Sequence, residues 1–414
     1  MATIAFADPP LPTAEPGSLG ISATRLARLG AALNREVEAR RLPGAVVAIA
    51  RHGRLVHAEA VGQLDPATGS AMRADAIFSI ASMTKPVTGA TALSLMQEGR
   101  LLPSDPVADW LPAFAKMRVA VESQAMLSGT GPIETRPAAT VMTVQDAMRH
   151  TTGFVYGGPG RGTTAVHAAY PAGSGWLQGN ATSDQAEALL AGLPLRHEPG
   201  SVWEYGFSTD VLGLVAERAA GQRLGDAMRE RIFAPLGMAE TGQVVTEARV
   251  ARVAKPFAQD PLTGNAQAVP LFTAPGAMDP GGTGLTSTAG DYLRFAQMLL
   301  DRGRWGKEQV LAPRIVDWMA SDHLGEGTRN TLASFDASLA GYGFGLTVAV
   351  RTRVGVAGLL GNPGLFGWSG VFGTNFWVDP AAGLAVVFMA HAPGEMRKRY
   401  RRLVNMLVYQ ALEE

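Results

Sequence analysis

Residues 76–85 read Ala76-Ile77-Phe78-Ser79-Ile80-Ala81-Ser82-Met83-Thr84-Lys85. A short β-like run, Ala76–Ile80, gives way to an S-x-x-K sequence that opens a long helix, read over Val87–Glu98. Residues three apart on a helix are neighbours, with Cβ atoms roughly 5–6 Å apart, so the Lys85 ammonium can reach the Ser82 hydroxyl. The helix N-terminus adds partial positive charge, which favours a developing oxyanion. A serine hydroxyl is a poor nucleophile until a base takes its proton. A free lysine titrates near about 10.4 and is charged at neutral pH; burial and the helix dipole would lower that value. Only five of the 36 basic residues are lysine, so roughly 0.2 such Ser–Lys pairs are expected by chance. On local sequence alone, a helix-capping serine followed by a surface lysine is the alternative.

Two later stretches offer partners. In Glu198-Pro199-Gly200-Ser201-Val202-Trp203-Glu204-Tyr205 a Pro-Gly turn delivers a tyrosine just before a helix. A nearby cation and the helix N-terminus could draw that phenol down from about 10 and make it a proton shuttle; the alternative is a core tyrosine. In Gly367-Trp368-Ser369-Gly370-Val371-Phe372-Gly373, glycines in a strand-like run mark close approach by a backbone or ligand. Counting from Trp368, the N–H of Val371 would be the second oxyanion donor beside that of Ser82. A bulged core strand is the alternative.

Composition removes other chemistries. Charged residues make up 17 % of the 414 and the formal net charge is zero, which argues against a nucleic-acid groove or a polybasic membrane patch. The absence of cysteine excludes disulfides, Cys-ligated zinc, Fe–S clusters and a thiol nucleophile. No apolar run approaches the roughly 18 residues of a membrane span. The histidines (His52, His57, His150, His167, His197, His323, His391) show no H-E-x-x-H and no close pairing, so neither metal nor cofactor is expected, and His150 reads as structural. Gly206-Phe207-Ser208-Thr209-Asp210 fails the nucleophile-elbow pattern at its last position. Gly157–Gly162 lacks the Lys-Ser/Thr ending of a phosphate loop and reads as a flexible cleft rim.

With 47 % hydrophobic residues the chain can build a sizeable core and two structural regions. Ser22 can cap a helix over Thr24–Arg41, followed by strands Ala45–Arg51 and Arg54–Val61 joined at His52-Gly53. Strands Gly343–Val350, Gly367–Val378 and Leu384–Ala390 lie near the other end. A terminal helix, Arg397–Leu412, is expected to turn Leu403, Met406, Leu407 and Val408 inward. Ser183–Ala191, Asp210–Ala220 and Gly225–Phe233 read as helices between them. Strands at both ends with helices inserted predict one sheet from 19–85 plus 285–414 and a mainly helical region over 86–284. The stretches Tyr156–Asn180 and Phe257–Ala277 are expected to shape the acyl pocket. Residues 1–18 read as a loose, Pro-rich arm without the positive n-region of a signal peptide. That predicts a cytoplasmic location, or a periplasmic or secreted one if a leader was removed, since Ala5-Phe6-Ala7 is like a cleavage site.

The three ordered motifs resemble the serine β-lactamase and penicillin-binding-protein superfamily, in its class C-like branch, and are most similar to family VIII carboxylesterases, which carry W-x-G where the lactamases have K-T-G. Leu102–Pro112, His150-Thr151-Thr152-Gly153, Leu236-Gly237-Met238, Gly281–Phe295 and Tyr342-Gly343-Phe344-Gly345 add to the resemblance, which runs from about residue 20 to the C-terminus. It implies an α/β (α+β) β-lactamase/transpeptidase-like fold, an antiparallel sheet flanked by helices with an inserted helical region. It also implies Ser82 as acylated nucleophile, Lys85 and Tyr205 as base system, and the N–H groups of Ser82 and Val371 as oxyanion hole. Trp368, Ser369, Gly370 and Phe207 would contact substrate. Two departures matter. Phe207 stands where the lactamase tyrosine motif has Asn, with Ser208 as a partial substitute, and Trp368 replaces a carboxylate-attracting lysine. The second favours neutral esters over anionic lactams. The expected activity is cleavage of a small-molecule ester; acyl transfer, weak lactam hydrolysis, a D-amino-acid amidase or peptidase, and a non-catalytic binding protein on this fold are the alternatives.

Overall fold

The computed structural model describes residues 6–129, 131–158 and 162–413. Met1–Ala5 of the expected N-terminal arm, and 159–161 of the expected cleft rim at 157–162, lie outside them. Five helices position the site: α1 (Ala23–Glu38), α2 (Thr84–Gln97), α3 (Ser208–Ala220), α4 (Ala289–Leu300) and α5 (Met396–Tyr409). Ser22 caps α1 by accepting the Arg25 N–H, and the apolar spacing buries Leu26, Leu29 and Leu33. The chain then forms β1 (Gly44–Arg51) and β2 (Arg54–Asp65). His52 and Gly53 between them both have positive φ, 49° and 75°, as a two-residue hairpin turn demands. A short β3 (Ser70–Ala71) follows. The rest of the sheet comes from the other chain end: β4 (Tyr342–Phe344), β5 (Ala349–Arg351), β6 (Phe366–Ser369), β7 (Asn375–Asp379) and β8 (Leu384–Ala390).

The strand order is β4-β5-β6-β7-β8-β1-β2-β3, antiparallel throughout. The register of Val47 opposite Phe388 welds the two chain ends together. Every residue of β1 and β8 is buried, so both faces of the sheet are covered. Cross-strand partners share a face and successive residues alternate. Phe376, opposite Val387, packs on Tyr292 and Phe295 of α4. Phe388, the next residue, faces the opposite way and meets Tyr400 of α5. Helix α2 is buried on all sides from Thr84 to Leu95, the mark of a helix inside a core rather than on its surface. It lies against α3. Among the described residues no helix is long and apolar enough to cross a membrane.

Several expectations are corrected. Gly343–Val350 is not one strand but the hairpin β4–β5, reversed where the Gly345 N–H bonds the Val348 carbonyl at 2.8 Å and Thr347 takes φ 70°. Gly367–Val378 likewise splits into β6 and β7, because Gly370 N–H closes a turn on Thr374 O and Gly373 adopts φ 118°. The helix read over Gly225–Phe233 continues from Leu224–Met228 into a π-helical turn, Arg229–Phe233. In α5 the inward residues are Met396, Tyr400, Val404 and Val408, while Met406 is half exposed at 50 %. Leu403 and Leu407 are only partly buried, because the buried stripe runs at i+4 from Met396. The arm over 6–18 is not loose: Phe6 and Leu11 are buried and the Ala14 N–H bonds the Leu55 carbonyl at 3.0 Å, pinning it to β2.

Candidate active site

Ser82 sits on a sharp strand-to-helix turn. Phe78–Ser79 pairs with Thr286–Ser287, and the Ile80 N–H bonds Leu285 O at 3.0 Å. Ala81, a non-glycine residue, then takes φ 46°, a conformation that costs about 1–3 kcal/mol and persists only where the surroundings impose it. Here the Tyr292 hydroxyl donates to Met83 O at 2.7 Å and the Leu285 N–H to the Thr84 hydroxyl at 3.2 Å. These bonds fix the turn Ala81–Met83 at the start of α2.

Lys85, 1 % exposed, extends back along α2. Its Nζ lies 3.4 Å from Ser82 Oγ, 3.3 Å from Tyr156 Oη and 2.8 Å from the Gly282 carbonyl, and 4.9 Å over the Tyr205 ring. Tyr205 Oη is 2.8 Å from Ser82 Oγ and receives the Trp368 indole N–H at 3.3 Å. Burial pushes the Tyr205 phenol up. The Lys85 charge and the hydrogen bonds with Ser82, Trp368 and Lys85 oppose it, and the balance lies below the ordinary tyrosine value. The arrangement can therefore pass a proton from the Ser82 hydroxyl to Tyr205.

Sequence reasoning did not single out the groups beneath Lys85. Tyr156 Oη lies 2.7 Å from Ser174 Oγ, and Ser174 donates to Asp210 Oδ2 at 2.6 Å. Asp210 Oδ1 accepts the Gly282 N–H at 3.0 Å, and the carbonyl of the same glycine receives Lys85. Asp210 is fully buried; burial raises its carboxyl against the lowering effect of Lys85 and the Ser174 bond, leaving it above the usual carboxylate value. The signal available was its place in the first turn of α3, five residues after Tyr205.

Ser82 and Val371 line one cavity of about 180 Å³ together with Tyr156, Ser174, Gln178 and Gly282–Gly284. Among the described residues neither the Ser82 nor the Val371 N–H is taken by a carbonyl. Both stretches expected to shape the pocket reach it, through Ser174, Gln178, Pro270 and Phe272. A larger cleft of about 720 Å³, lined by Arg223, Phe233, Met238 and Gln243, has none of Ser82, Lys85, Tyr205 and Val371 in its lining.

The residues expected to contact substrate are placed differently. Phe207 is fully buried against Tyr156 and Tyr170 and supports the relay from behind. Ser208 bonds Thr152 at 2.7 Å rather than Lys85, whose Nζ meets Tyr156 Oη and Gly282 O. Trp368 and Ser369 line a separate cavity of about 70 Å³, and the indole N–H is engaged by Tyr205. Gly370 is buried, and a Cβ there would collide with the Thr374 hydroxyl and the Ile80 carbonyl. His150 is fully buried, faces Thr209 Oγ1 at 3.2 Å and packs its ring 4.9 Å from that of Tyr205. Burial and the Lys85 charge hold it well below the usual histidine value, so it is neutral.

The chain matches the Beta-lactamase family over residues 29–410. Protein Rv1367c of Mycobacterium tuberculosis is 35 % identical over 85 % of this chain and 86 % of its own length. Esterase EstB of Burkholderia gladioli is 32 % identical over 92 % and 94 %. Among solved structures, EstCE1, described as a hydrolase with promiscuous acyltransferase activity, superposes with a TM-score of 0.74 at 25 % identity, covering 93 % of this chain and 99 % of its own.

Proposed function

The chain belongs to the beta-lactamase family as a serine hydrolase of that fold, and on that premise we propose that it is a carboxylesterase cleaving short- to medium-chain acyl esters through an acyl-enzyme on Ser82. The observation that carries this reading is the 2.8 Å approach of Tyr205 Oη to Ser82 Oγ beside the buried Lys85. Tyr205, its phenolate favoured by Lys85 and Trp368, takes the Ser82 proton as Oγ attacks the ester carbonyl. The N–H groups of Ser82 and Val371 hold the oxyanion. Tyr205 then returns the proton to the leaving alcohol, and water attacks the acyl-enzyme by the same route. Tyr156, Ser174 and Asp210 keep Lys85 in place and balance its buried charge.

The indole N–H of Trp368 is spent on Tyr205 and adds no cation for a substrate carboxylate, which supports a preference for neutral esters. The sheet region (19–85 with 285–414) and the helical region (86–284) are the two bodies between which this reading sets the site. Acyl transfer to another alcohol is the second reading, favoured by the likeness to EstCE1, a hydrolase with promiscuous acyltransferase activity. Aryl esters of graded acyl length, assayed beside a chromogenic cephalosporin, test the proposal. Rapid ester turnover with negligible lactam turnover is expected. No turnover of either, with no labelling by a fluorophosphonate, would make the chain a binding protein instead.

A further inference from the structure

Resting on that reading, we propose that Arg401 is a positioning residue for the oxyanion hole: it grips, from behind the sheet edge, the peptide unit whose N–H is the Val371 donor. Arg401 lies on α5 and is absent from the lining of the catalytic cavity. Its Nη2 donates to the Gly370 carbonyl at 3.0 Å. That carbonyl and the Val371 N–H belong to one peptide plane, and the chain contains no cis peptide among its described residues. In a trans peptide the C=O and N–H point in opposite directions. A cation on the oxygen therefore fixes the N–H facing away from it, and polarises the amide so that its hydrogen becomes a stronger donor.

The turn around that plane is anchored to the segment carrying the other donor. Gly370 N–H bonds Thr374 O at 2.8 Å, and Gly373 N–H bonds Gly370 O at 3.2 Å. The Thr374 hydroxyl donates to Ile80 O at 3.2 Å, two residues before Ser82. The two N–H groups are thus held in one frame, to which Arg401 adds a charged contact. Arg401 is well placed for this: its side chain is 17 % exposed, with the Asp336 carboxylate at 3.8 Å. Burial lowers its guanidinium to about 10, still cationic at neutral pH.

The test compares wild type with Arg401→Met, which keeps the stem without the charge, and Arg401→Lys, which keeps a charge. Turnover is followed with an aryl ester, and the carbonyl stretch of a slowly deacylating acyl-enzyme is followed by infrared difference spectroscopy. Removing an oxyanion donor outright costs about 10²–10³ in kcat; misaiming it should cost about 10-fold in Arg401→Met, with KM within about twofold and partial recovery in Arg401→Lys. The acyl carbonyl band should move to higher frequency, because a weaker oxyanion hole polarises it less. An unmoved band in a folded variant, whether or not turnover falls, overturns the inference, since a merely structural role would leave that frequency unchanged. Should Arg401→Met fail to fold, the band in Arg401→Lys decides. A wild-type protein that yields no acyl carbonyl band at all would instead overturn the acyl-enzyme reading.

Discussion

Replacing Trp368 with Phe isolates one hydrogen bond. The substitution removes the indole N–H that reaches Tyr205 Oη at 3.3 Å and keeps a ring in the stack with Phe335, where the planes lie 12° apart. A hydrogen bond to a charged acceptor is worth about 1.5–3 kcal/mol, and at this long distance about 1 kcal/mol is a fair figure. It stabilises the phenolate, so its loss raises the Tyr205 pKa by what that energy amounts to. If Tyr205 phenolate is the base, kcat/KM climbs with pH as the phenol ionises. In the variant that limb moves up by the same amount. Well below the limb the variant is about fivefold slower, and above it the two proteins converge. Initial rates on a neutral aryl ester across the pH range, corrected for buffer hydrolysis, give both limbs. The smaller ring also costs about 1–2 kcal/mol of stability, which a melting curve checks separately. A limb that stays in place or moves down would refute the assignment of Trp368 as a phenolate donor.

Other outcomes follow from the same contacts. Tyr156→Phe removes the hydroxyl joining Lys85 to Ser174 and should lower kcat by about 10- to 100-fold with an unchanged melting temperature; full activity would show that the lower network is idle. Gly370→Ala drives a methyl into the Thr374 hydroxyl and Ile80 carbonyl, so it should cost about 1–3 kcal/mol in denaturant unfolding and depress kcat more than KM. Glu36 is held at about 2, against 4.5, chiefly because Arg41 donates to it, with Arg399 assisting against burial. A depressed carboxyl stabilises the fold above its unfolded value and loses that contribution as pH falls from 4.5 towards about 2. Over that window the contribution is about 3 kcal/mol at most; Glu36→Gln should be less stable at neutral pH and flatter on acidification, as thermal melts would show.

What could be read in the sequence was local or counted along one segment. Ser82 and Lys85 are one helical turn apart, Tyr205 is announced by a Pro-Gly turn, and Val371 follows from its distance to Trp368. The sheet from both chain ends was visible because β1 up to Ala50 and all of β8 are unbroken apolar runs, and β2 follows β1 across the two-residue turn at His52-Gly53. The network under Lys85 was not visible, because Tyr156, Ser174, Asp210 and Gly282 are ordinary residues on four separate segments that meet only when α2 and α3 pack. The role of Phe207 was misjudged for a related reason: adjacency to Tyr205 in sequence says nothing about which way a ring faces at the mouth of a helix. The two hairpins hidden in Gly343–Val350 and Gly367–Val378 turn on glycines and one strained threonine, whose φ values depend on bonds made after the strands pair. Arg401 was not legible as a site residue, since its partner is a backbone carbonyl thirty-one residues away.

The central claim is that Ser82 carries the acyl group. Intact-protein mass spectrometry of the chain quenched during turnover of a slowly deacylating ester, followed by peptide mapping, tests it most directly. The account predicts one acyl group per chain on the peptide containing Ser82, and neither adduct nor turnover in Ser82→Ala. An adduct on another residue, or undiminished turnover by Ser82→Ala, would contradict it.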